Sequence, residues 1–280
     1  MNERTSVQGL DLISLETPEG HRAQVSPWGG QVLSWCHAVH GEQLYCSPLR
    51  RAGQPLRGGV PVCFPQFASR GVLPKHGFAR TSLWALEQLA QHDGRVQAHL
   101  CLQATDETRA LWPHDFTLTQ VVELDAGGLT VSLGVKNTGS EPWAFTAALH
   151  TYLRLDDVTR AELQGLQGLT YEDACQGHAL AREHCAHLQI TQEVDRVYLQ
   201  SPAQLLLRRA DRPTMQVLQS GFADTVVWNP GPAKAAALAD LPDADWQHML
   251  CIEAAQVARP VVLAPGMQWL GHQRLALIEP

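Results

Sequence analysis

Apolar and polar residues alternate along much of this chain, and this period of two limits its fold more than any other feature. In residues 95–104, one set of alternate positions is apolar: Val96, Ala98, Leu100 and Leu102. The positions between them are mostly polar and include Gln97, His99 and Gln103. Because successive side chains of a β-strand point to opposite faces, this pattern predicts a strand with one buried face.

Strand pairs joined by turn residues recur along the sequence. Residues 116–139 predict two strands around a turn from Asp125 to Gly128, which is typical of a β-hairpin. The C-terminus repeats this device, with apolar residues 260–263, a turn at 264–266 and a second strand within 267–279. One short helix is predicted from Pro232 to Leu241.

Many hairpins and few helices predict an all-β fold, a large antiparallel β sandwich. The sequence contains no internal repeat, low-complexity tract or obvious linker. We therefore expect residues 1–280 to form a single domain.

Net charge and cysteine spacing limit the binding partners and the cellular compartment expected for this protein. The formal net charge is −7, so no overall positive field favours nucleic acid or an anionic membrane. The seven cysteines are scattered without a C-x-x-C spacing, which fits reduced thiols in the cytoplasm. The N-terminus has no apolar targeting region and no run of apolar residues is long enough to span a bilayer. We expect a cytoplasmic monomer in which an anionic substrate would need a local basic cluster.

A loop rich in proline and glycine, residues 57–84, supplies such cations. Arg57, Lys75 and Arg80 could complement a phosphate, because arginine offers forked donors and lysine a compact charge. The same loop carries His76, which we place with the substrate-binding residues. The alternative is a solvated surface loop that its prolines merely stiffen.

Two residues in strand-like segments suit proton transfer. His150 lies opposite the apolar stripe formed by Trp143, Phe145, Ala147 and Leu149, so it could face a cleft and act near neutral pH. Glu253 lies in an otherwise apolar stretch, where a carboxylate is costly unless it is paired or used. An ordinary surface histidine and a strand-end glutamate that reaches solvent are the alternatives. Asp195 also lies in a strand-like run, as a candidate site residue, a turn residue or a salt-bridge partner of Arg196.

No cofactor signature accompanies these residues. The sequence lacks the GxGxxG strand-to-helix fingerprint, the GxxxxGK[ST] loop and the GxSxG elbow. Metal-binding candidates group at His178, His184, Cys185 and His187, but they lack a second well-spaced ligand pair. We expect neither a cofactor nor a metal.

Six segments, taken in order, carry a family resemblance: RGGVPVCFP, PKHGFAR, ALHTYL, EVDRVY, DTVVWNP and CIEAAQV. Together they resemble the hexose-6-phosphate mutarotases, or glucose-6-phosphate 1-epimerases, of the aldose 1-epimerase superfamily. The resemblance spans roughly Arg57 to Glu253 and implies a galactose-mutarotase-like β sandwich with an open sugar cleft. It implies catalytic roles for His150 and Glu253, and substrate binding by Arg57, Arg80 and Asp195.

The resemblance also implies a mechanism without metal or redox cofactor. Glu253 as carboxylate would take the C1 hydroxyl proton of a sugar phosphate while His150 as imidazolium protonates the ring oxygen. Alternatives are the same chemistry on an unphosphorylated aldose, a non-catalytic sugar-binding protein, and a glycosidase that uses Asp195 and Glu253. Two departures bear on substrate preference: the loop from Gln66 to Lys75 is short, and Gly231 stands where the resemblance implies an aromatic residue. Lys75, just before HGFAR, would add a cation beside the phosphate.

Overall fold

The structure is a computed structural model that describes residues 4–7, 10–51 and 53–278. Within that part, strands dominate and the α-helices are two short ones, α1 (Asp106–Leu111) and α2 (Gly231–Ala236). Four short 3-10 segments are Ala79–Thr81, Val158–Arg160, Ala174–Gln176 and Asp245–His248. This content confirms the all-β prediction, whereas the assignment of residues 1–280 to one domain stays a prediction.

The strands of the first half are β1 Arg4–Val7, β2 Leu10–Glu16, β3 Arg22–Ser26, β4 Gln31–His37, β5 Gly41–Glu42, β6 Val62–Cys63, β7 Ala85–His92, β8 Arg95–Gln103, β9 Phe116–Asp125, β10 Gly128–Asn137 and β11 Trp143–Leu149. Those of the second half are β12 Tyr152–Arg154, β13 Glu162–Gln164, β14 Thr170–Asp173, β15 Ala179–Arg182, β16 His187–Leu188, β17 Val194–Tyr198, β18 Gln204–Arg209, β19 Arg212–Ser220, β20 Asp224–Asn229, β21 Met249–Leu263 and β22 Gln268–Ile278.

These strands form three antiparallel sheets. A five-stranded sheet runs β1-β2-β3-β4-β5, and a nine-stranded sheet runs β16-β13-β18-β19-β22-β10-β9-β8-β7. The third sheet has eight strands, in the order β15-β14-β17-β20-β21-β11-β6, with β12 also paired to β21. Large antiparallel sheets whose apolar faces meet are the arrangement that a sandwich requires.

The apolar positions of the alternating pattern form part of the main hydrophobic core. In β8 the four predicted inward residues are all buried: Val96, Ala98, Leu100 and Leu102. In β10 the corresponding four are also buried: Leu129, Val131, Leu133 and Val135. They belong to one apolar cluster with Phe145 and Leu149 of the eight-stranded sheet, so the two large sheets share this core. Leu133 is fully buried, and its replacement by alanine would cost about 2–5 kcal/mol of unfolding free energy.

The C-terminal strands exist as predicted, but their pairing as a hairpin is wrong. β21 pairs with β11 in the eight-stranded sheet, whereas β22 pairs with β10 and β19 in the nine-stranded sheet. The connection is held at the end of β10, where the side-chain amide of Asn137 donates to the Leu263 carbonyl at 2.9 Å. Gly266 N–H in turn donates to the Asn137 carbonyl, also at 2.9 Å. The turn therefore carries the chain from one sheet to the other.

The predicted helix at 232–241 is shorter than expected. α2 ends at Ala236, and residues 237–241 continue as tight turns in which Leu238 N–H donates to the Ala235 carbonyl and Leu241 N–H to that of Leu238. Asp240 lies in these turns. As shown below, its carboxylate reaches the candidate site.

Gly231, at the start of α2, is required by its surroundings. Its φ is +60°, and a Cβ there would lie 2.6 Å from the backbone nitrogen of Glu193. Its N–H donates to Asn229 Oδ1 at 2.8 Å, which fixes the start of the helix. A bulky aromatic side chain therefore does not fit at this position.

Candidate active site

Strand register brings His150 and Glu253 together. On the flanking positions, Leu149 pairs with Ala254 of β21, and Tyr152 pairs with Cys251. Counting inward from both sides places His150 directly opposite Glu253. Opposite side chains on neighbouring antiparallel strands have Cβ atoms about 4.5–5.5 Å apart, so these two side chains must meet.

The same register extends the site across the outer face of the eight-stranded sheet. Asp195 of β17 pairs with Trp228 of β20, and Trp228 pairs with Cys251. Because residues paired across strands share a face, these side chains line one surface with Tyr152. The intervening residues, such as Ile252, belong instead to the core between the sheets.

His150 and Glu253 form a buried pair. Nε2 of His150 lies 3.4 Å from Oε1 of Glu253. His150 is 8% exposed and Glu253 is 1% exposed, which rules out a surface histidine and a solvent-reaching glutamate. Among the described residues, His150 Nδ1 and Glu253 Oε2 have no hydrogen-bond partner. Buried polar atoms are normally paired, so these two are available to a ligand.

Burial sets the protonation preferences of the pair. Desolvation raises the pKa of Glu253 well above its ordinary value, and the negative charge of Asp195 adds to this rise. Desolvation lowers the pKa of His150 well below its ordinary value, helped by His76, Arg80 and Arg57. In the free cleft both groups therefore favour their uncharged forms.

Aromatic rings fix the orientation of His150. The Tyr152 ring stacks on the imidazole with centroids 4.8 Å apart and planes 10° apart. The Trp228 ring meets both of these rings edge-on, at 6.0 Å from each. Arg57 lies over Trp228 at 5.8 Å, and its NH1 donates to the Tyr152 hydroxyl at 3.4 Å. The imidazole thus lies against a packed aromatic wall.

His76 enters the cleft from the loop predicted to bind substrate. Its φ is +66°, and the following Gly77 has φ +71°, so two successive left-handed residues turn the chain inward. Ala68 N–H donates to His76 Nδ1 at 3.3 Å, which leaves Nε2 to carry the proton of a neutral ring. Burial, with Arg80, Lys75 and Arg57, lowers the pKa of His76 to about 3. His76 is therefore a neutral hydrogen-bond donor at physiological pH.

The cations of the cleft are individually anchored. Arg57 Nε contacts Asp240 Oδ1 at 2.8 Å, and Arg80 NH2 donates to the Lys75 carbonyl at 2.8 Å. Lys234 of α2 lies 2.6 Å from Glu193 Oε1 and 3.9 Å from Asp195 Oδ2. Because the carboxylates of Glu193 and Asp195 already lie beside Lys234, its charge is only partly available to an anionic ligand.

One cleft of about 250 Å³ contains all the predicted site residues. These are Arg57, Lys75, His76, Arg80, His150, Asp195 and Glu253. Other lining residues, for which the sequence indicated no role, include Tyr152, Trp228, Lys234 and Asp240. Lys234 and Asp240 lie just after the DTVVWNP segment, within the predicted helix. Their position next to this family motif was the one sequence signal that could have indicated them.

The metal-binding candidates that group in the sequence around His178 and His187 do not form one cluster in the structure. His178 Nδ1 contacts Glu172, and His187 Nδ1 contacts Glu162 on a different sheet, so these side chains are dispersed. Among the described residues, a group of three potential ligands does occur at His150, Cys251 and Glu253, with one donor atom from each within 4.8 Å of the others.

Within the part of the chain that the structure describes, no helix has the length and apolar character needed to cross a bilayer.

Solved structures share this fold across nearly the whole chain. A "putative mutarotase" from Salmonella typhimurium superposes with a TM-score of 0.87 and 29% identity, covering 98% of this chain and 93% of that one. A galactose mutarotase-like protein from Clostridium acetobutylicum superposes with a TM-score of 0.77 over 100% and 99% of the chains, at 14% identity. The fold is thus that of the mutarotase-like β sandwiches.

The family follows from sequence. The chain belongs to the aldose 1-epimerase family, whose model matches residues 11–276. A protein of Cenchrus ciliaris named "Putative glucose-6-phosphate 1-epimerase" is 32% identical over 96% of this chain and 85% of its own length. A protein of the same name from Escherichia coli K12 is 32% identical over 90% of this chain and 85% of its own. The chain is therefore an isomerase of the mutarotase type, and the resemblance seen in its motifs is confirmed.

Proposed function

We propose that this isomerase interconverts the α and β anomers of a hexose 6-phosphate, with glucose 6-phosphate as the first candidate. The observation that carries the proposal is the convergence of Arg57, Lys75 and Arg80 on the cleft that holds His150 and Glu253. The sequence left open whether these cations meet or lie apart on a surface loop. The relatives from Cenchrus ciliaris and Escherichia coli K12 are both named "Putative glucose-6-phosphate 1-epimerase", which agrees with this choice of substrate.

The electrostatics of the cleft support an anionic substrate. The protein as a whole is acidic, with a net charge of −7. The positive charges of Arg80, Lys75 and Arg57 nevertheless act on His76 strongly enough to help lower its pKa. A 6-phosphate carries nearly two negative charges at pH 7, and forked arginine donors suit its oxygens. A free aldose would bring no negative charge to these cations, of which, among the described residues, Arg57 alone has an ion pair, with Asp240.

Proton transfer between His150, Glu253 and the sugar accounts for anomer exchange. One group takes the proton of the C1 hydroxyl while the other protonates the ring oxygen, and the C1–O bond of the ring breaks to give the open-chain aldehyde. Rotation about the C1–C2 bond and reversal of both transfers then yield the other anomer. Positioned acid/base groups each supply about 10²–10⁴-fold in rate.

The mechanism that the resemblance implies needs one revision, which concerns the protonation states of Glu253 and His150 at the start. That mechanism begins with Glu253 as carboxylate and His150 as imidazolium, whereas burial favours the neutral acid and the neutral imidazole. The two states contain the same number of protons and differ by one transfer across the 3.4 Å contact. Arg57 and Arg80 are among the charges that lower the pKa of His150. A bound phosphate would offset them and favour the imidazolium.

A side-by-side comparison of substrates tests the proposal. Rates of anomer exchange are measured by NMR with glucose 6-phosphate and with free glucose, for the wild type and for Arg80→Ala. Losing one charged hydrogen bond costs about 1.5–3 kcal/mol. We expect use of the phosphorylated sugar to fall by roughly 10- to 100-fold, with little change for free glucose.

The matched control is Arg109→Ala. Arg109 is exposed on α1, pairs with Asp115 and Asp106, and is absent from the cleft lining. We expect this variant to leave both rates unchanged. Equal losses on both substrates in Arg80→Ala would mean that the cation shapes the cleft without reading phosphate, and an unphosphorylated aldose would then be the better substrate.

A further inference from the structure

A thiol lies beside the acid/base pair and has no part in the proposed proton transfers. Cys251 is two residues before Glu253 on β21, so both side chains point to the cleft face. Cys251 is fully buried. One donor atom from each of His150, Cys251 and Glu253 lies within 4.8 Å of the other two.

The chemistry of this group is that of a zinc ligand set. Imidazole nitrogen, thiolate sulfur and carboxylate oxygen are the donors that Zn²⁺ takes in proteins, at about 2.0–2.3 Å. Tetrahedral donors at those lengths lie roughly 3.3–3.8 Å apart, so movements of about 1 Å close the site. His150 Nδ1 and Glu253 Oε2 are buried and have no partner among the described residues, which leaves lone pairs available to a ligand.

A dication at this group would be charge-balanced by its own ligands. A bound dication is balanced by one thiolate and one carboxylate, whose protons leave to solvent on binding. A magnesium ion gains much less, because it prefers oxygen ligands in octahedral geometry.

We propose that His150, Cys251 and Glu253 form an inhibitory site for a thiophilic divalent cation of the Zn²⁺ type. Three protein ligands leave a fourth position facing the cleft, where the sugar would lie. The bound cation occupies the lone pairs that exchange protons with the sugar, so anomer exchange stops. Inhibition rests on the proposed roles of His150 and Glu253, whereas binding of the cation does not.

The test begins with protein that has been stripped by a chelator, dialysed and kept reduced with a non-thiol reductant. Zn²⁺ is titrated by calorimetry, and anomer exchange of glucose 6-phosphate is measured in parallel at the same Zn²⁺ concentrations. We expect one tight site per chain and inhibition over the same concentration range. Mg²⁺ should neither bind tightly nor inhibit.

Cys251→Ala and Cys251→Ser identify the ligand, each judged against its own metal-free rate. Loss of one ligand should weaken both zinc binding and inhibition by at least about tenfold. Cys185→Ser is the matched control, because Cys185 is an exposed thiol outside the cleft lining. It should leave zinc binding and inhibition unchanged.

Three results would overturn the inference: zinc affinity that is the same in Cys251→Ala, tight zinc binding with unchanged anomer exchange, or faster exchange with zinc. If neither Cys251 variant folds, Co²⁺ is added to the wild type, where a thiolate-to-metal absorption band is expected and its absence counts against the site. The two proposals fail separately. Metal-free wild type that does not accelerate anomer exchange contradicts the proposed function, whereas failure to bind zinc leaves that function intact.

Discussion

Nε2 of His150, between β11 and β12, lies 3.4 Å from Oε1 of Glu253 on β21, although the two residues are about one hundred positions apart in the chain. The contact follows from strand register, because the pairs on either side of it keep one continuous register. It places two titratable groups where water has little access. Both their reactivity and their cost to stability arise from that burial.

The cost to stability gives a first prediction, for Glu253→Gln. The pKa of Glu253 is raised in the folded protein, so unfolding releases a proton above the ordinary value of 4.5 and the free energy of unfolding falls as pH rises. The amide mimics the neutral acid and has no such loss. We expect the variant to be more stable than the wild type at pH 8 by about 1–3 kcal/mol, with the difference vanishing below pH 4.5. Urea unfolding at several pH values measures it.

Glu172→Gln is a control of opposite sign. Burial opposes ionisation of Glu172, but hydrogen bonds from Arg70 and His178 outweigh it and lower its pKa. Its contribution is therefore present above the unfolded pKa and lost as pH falls through the folded pKa. This variant should be less stable than the wild type at pH 8. A Glu253→Gln protein that is also less stable there would show that the contact to His150 outweighs desolvation.

A second prediction concerns the ring that stacks on His150. Tyr152→Leu removes the parallel face at 4.8 Å and frees the imidazole to rotate. Misplacing a catalytic group by about 1 Å can cost 10²-fold, so we expect kcat to fall by roughly 10- to 100-fold with a shifted pH profile. Tyr152→Phe keeps the ring and loses only the 3.4 Å hydrogen bond from Arg57, so its kcat should stay within about threefold. Equal losses in both variants would assign the effect to the hydroxyl.

A third prediction tests the start of α2. Gly231→Ala places a Cβ 2.6 Å from the backbone nitrogen of Glu193 at a φ of +60°. We expect a loss of about 1–3 kcal/mol in unfolding free energy. Gly266→Ala is the control, because Gly266 has φ +76° but open space around it. It should lose only the smaller backbone contribution, and a loss as large as that of Gly231→Ala would mean that the close approach to Glu193 carries no cost.

Local patterns predicted the strands well, because alternation reports directly which face of a strand is buried. β8, β9 and β10 lie where the sequence places them. Which sheet each strand joins was harder to predict. The turn residues after Leu263 look like those of a hairpin, whichever sheet the following strand joins. That choice depends on β10, which holds the connection through Asn137.

The site was predictable in part for the same reason. His150 and Glu253 each stood out against the apolar residues around them, but their contact depends on β11 and β21 being neighbours. Tyr152 gave no separate signal, because stacking on His150 appears only in three dimensions. Lys234 and Asp240 lie within the predicted helix at 232–241, and only the fold places them at the cleft.

The acid/base roles of His150 and Glu253 are tested most directly by the rate of anomer exchange of glucose 6-phosphate, measured by NMR for the wild type, His150→Gln and Glu253→Gln. We expect clear acceleration by the wild type and rates close to the spontaneous one for both variants, with each variant still folded by circular dichroism. A loss of at least about 10²-fold is expected from removing either partner. Near-wild-type exchange by either folded variant would contradict the assignment of His150 and Glu253 as the acid/base pair.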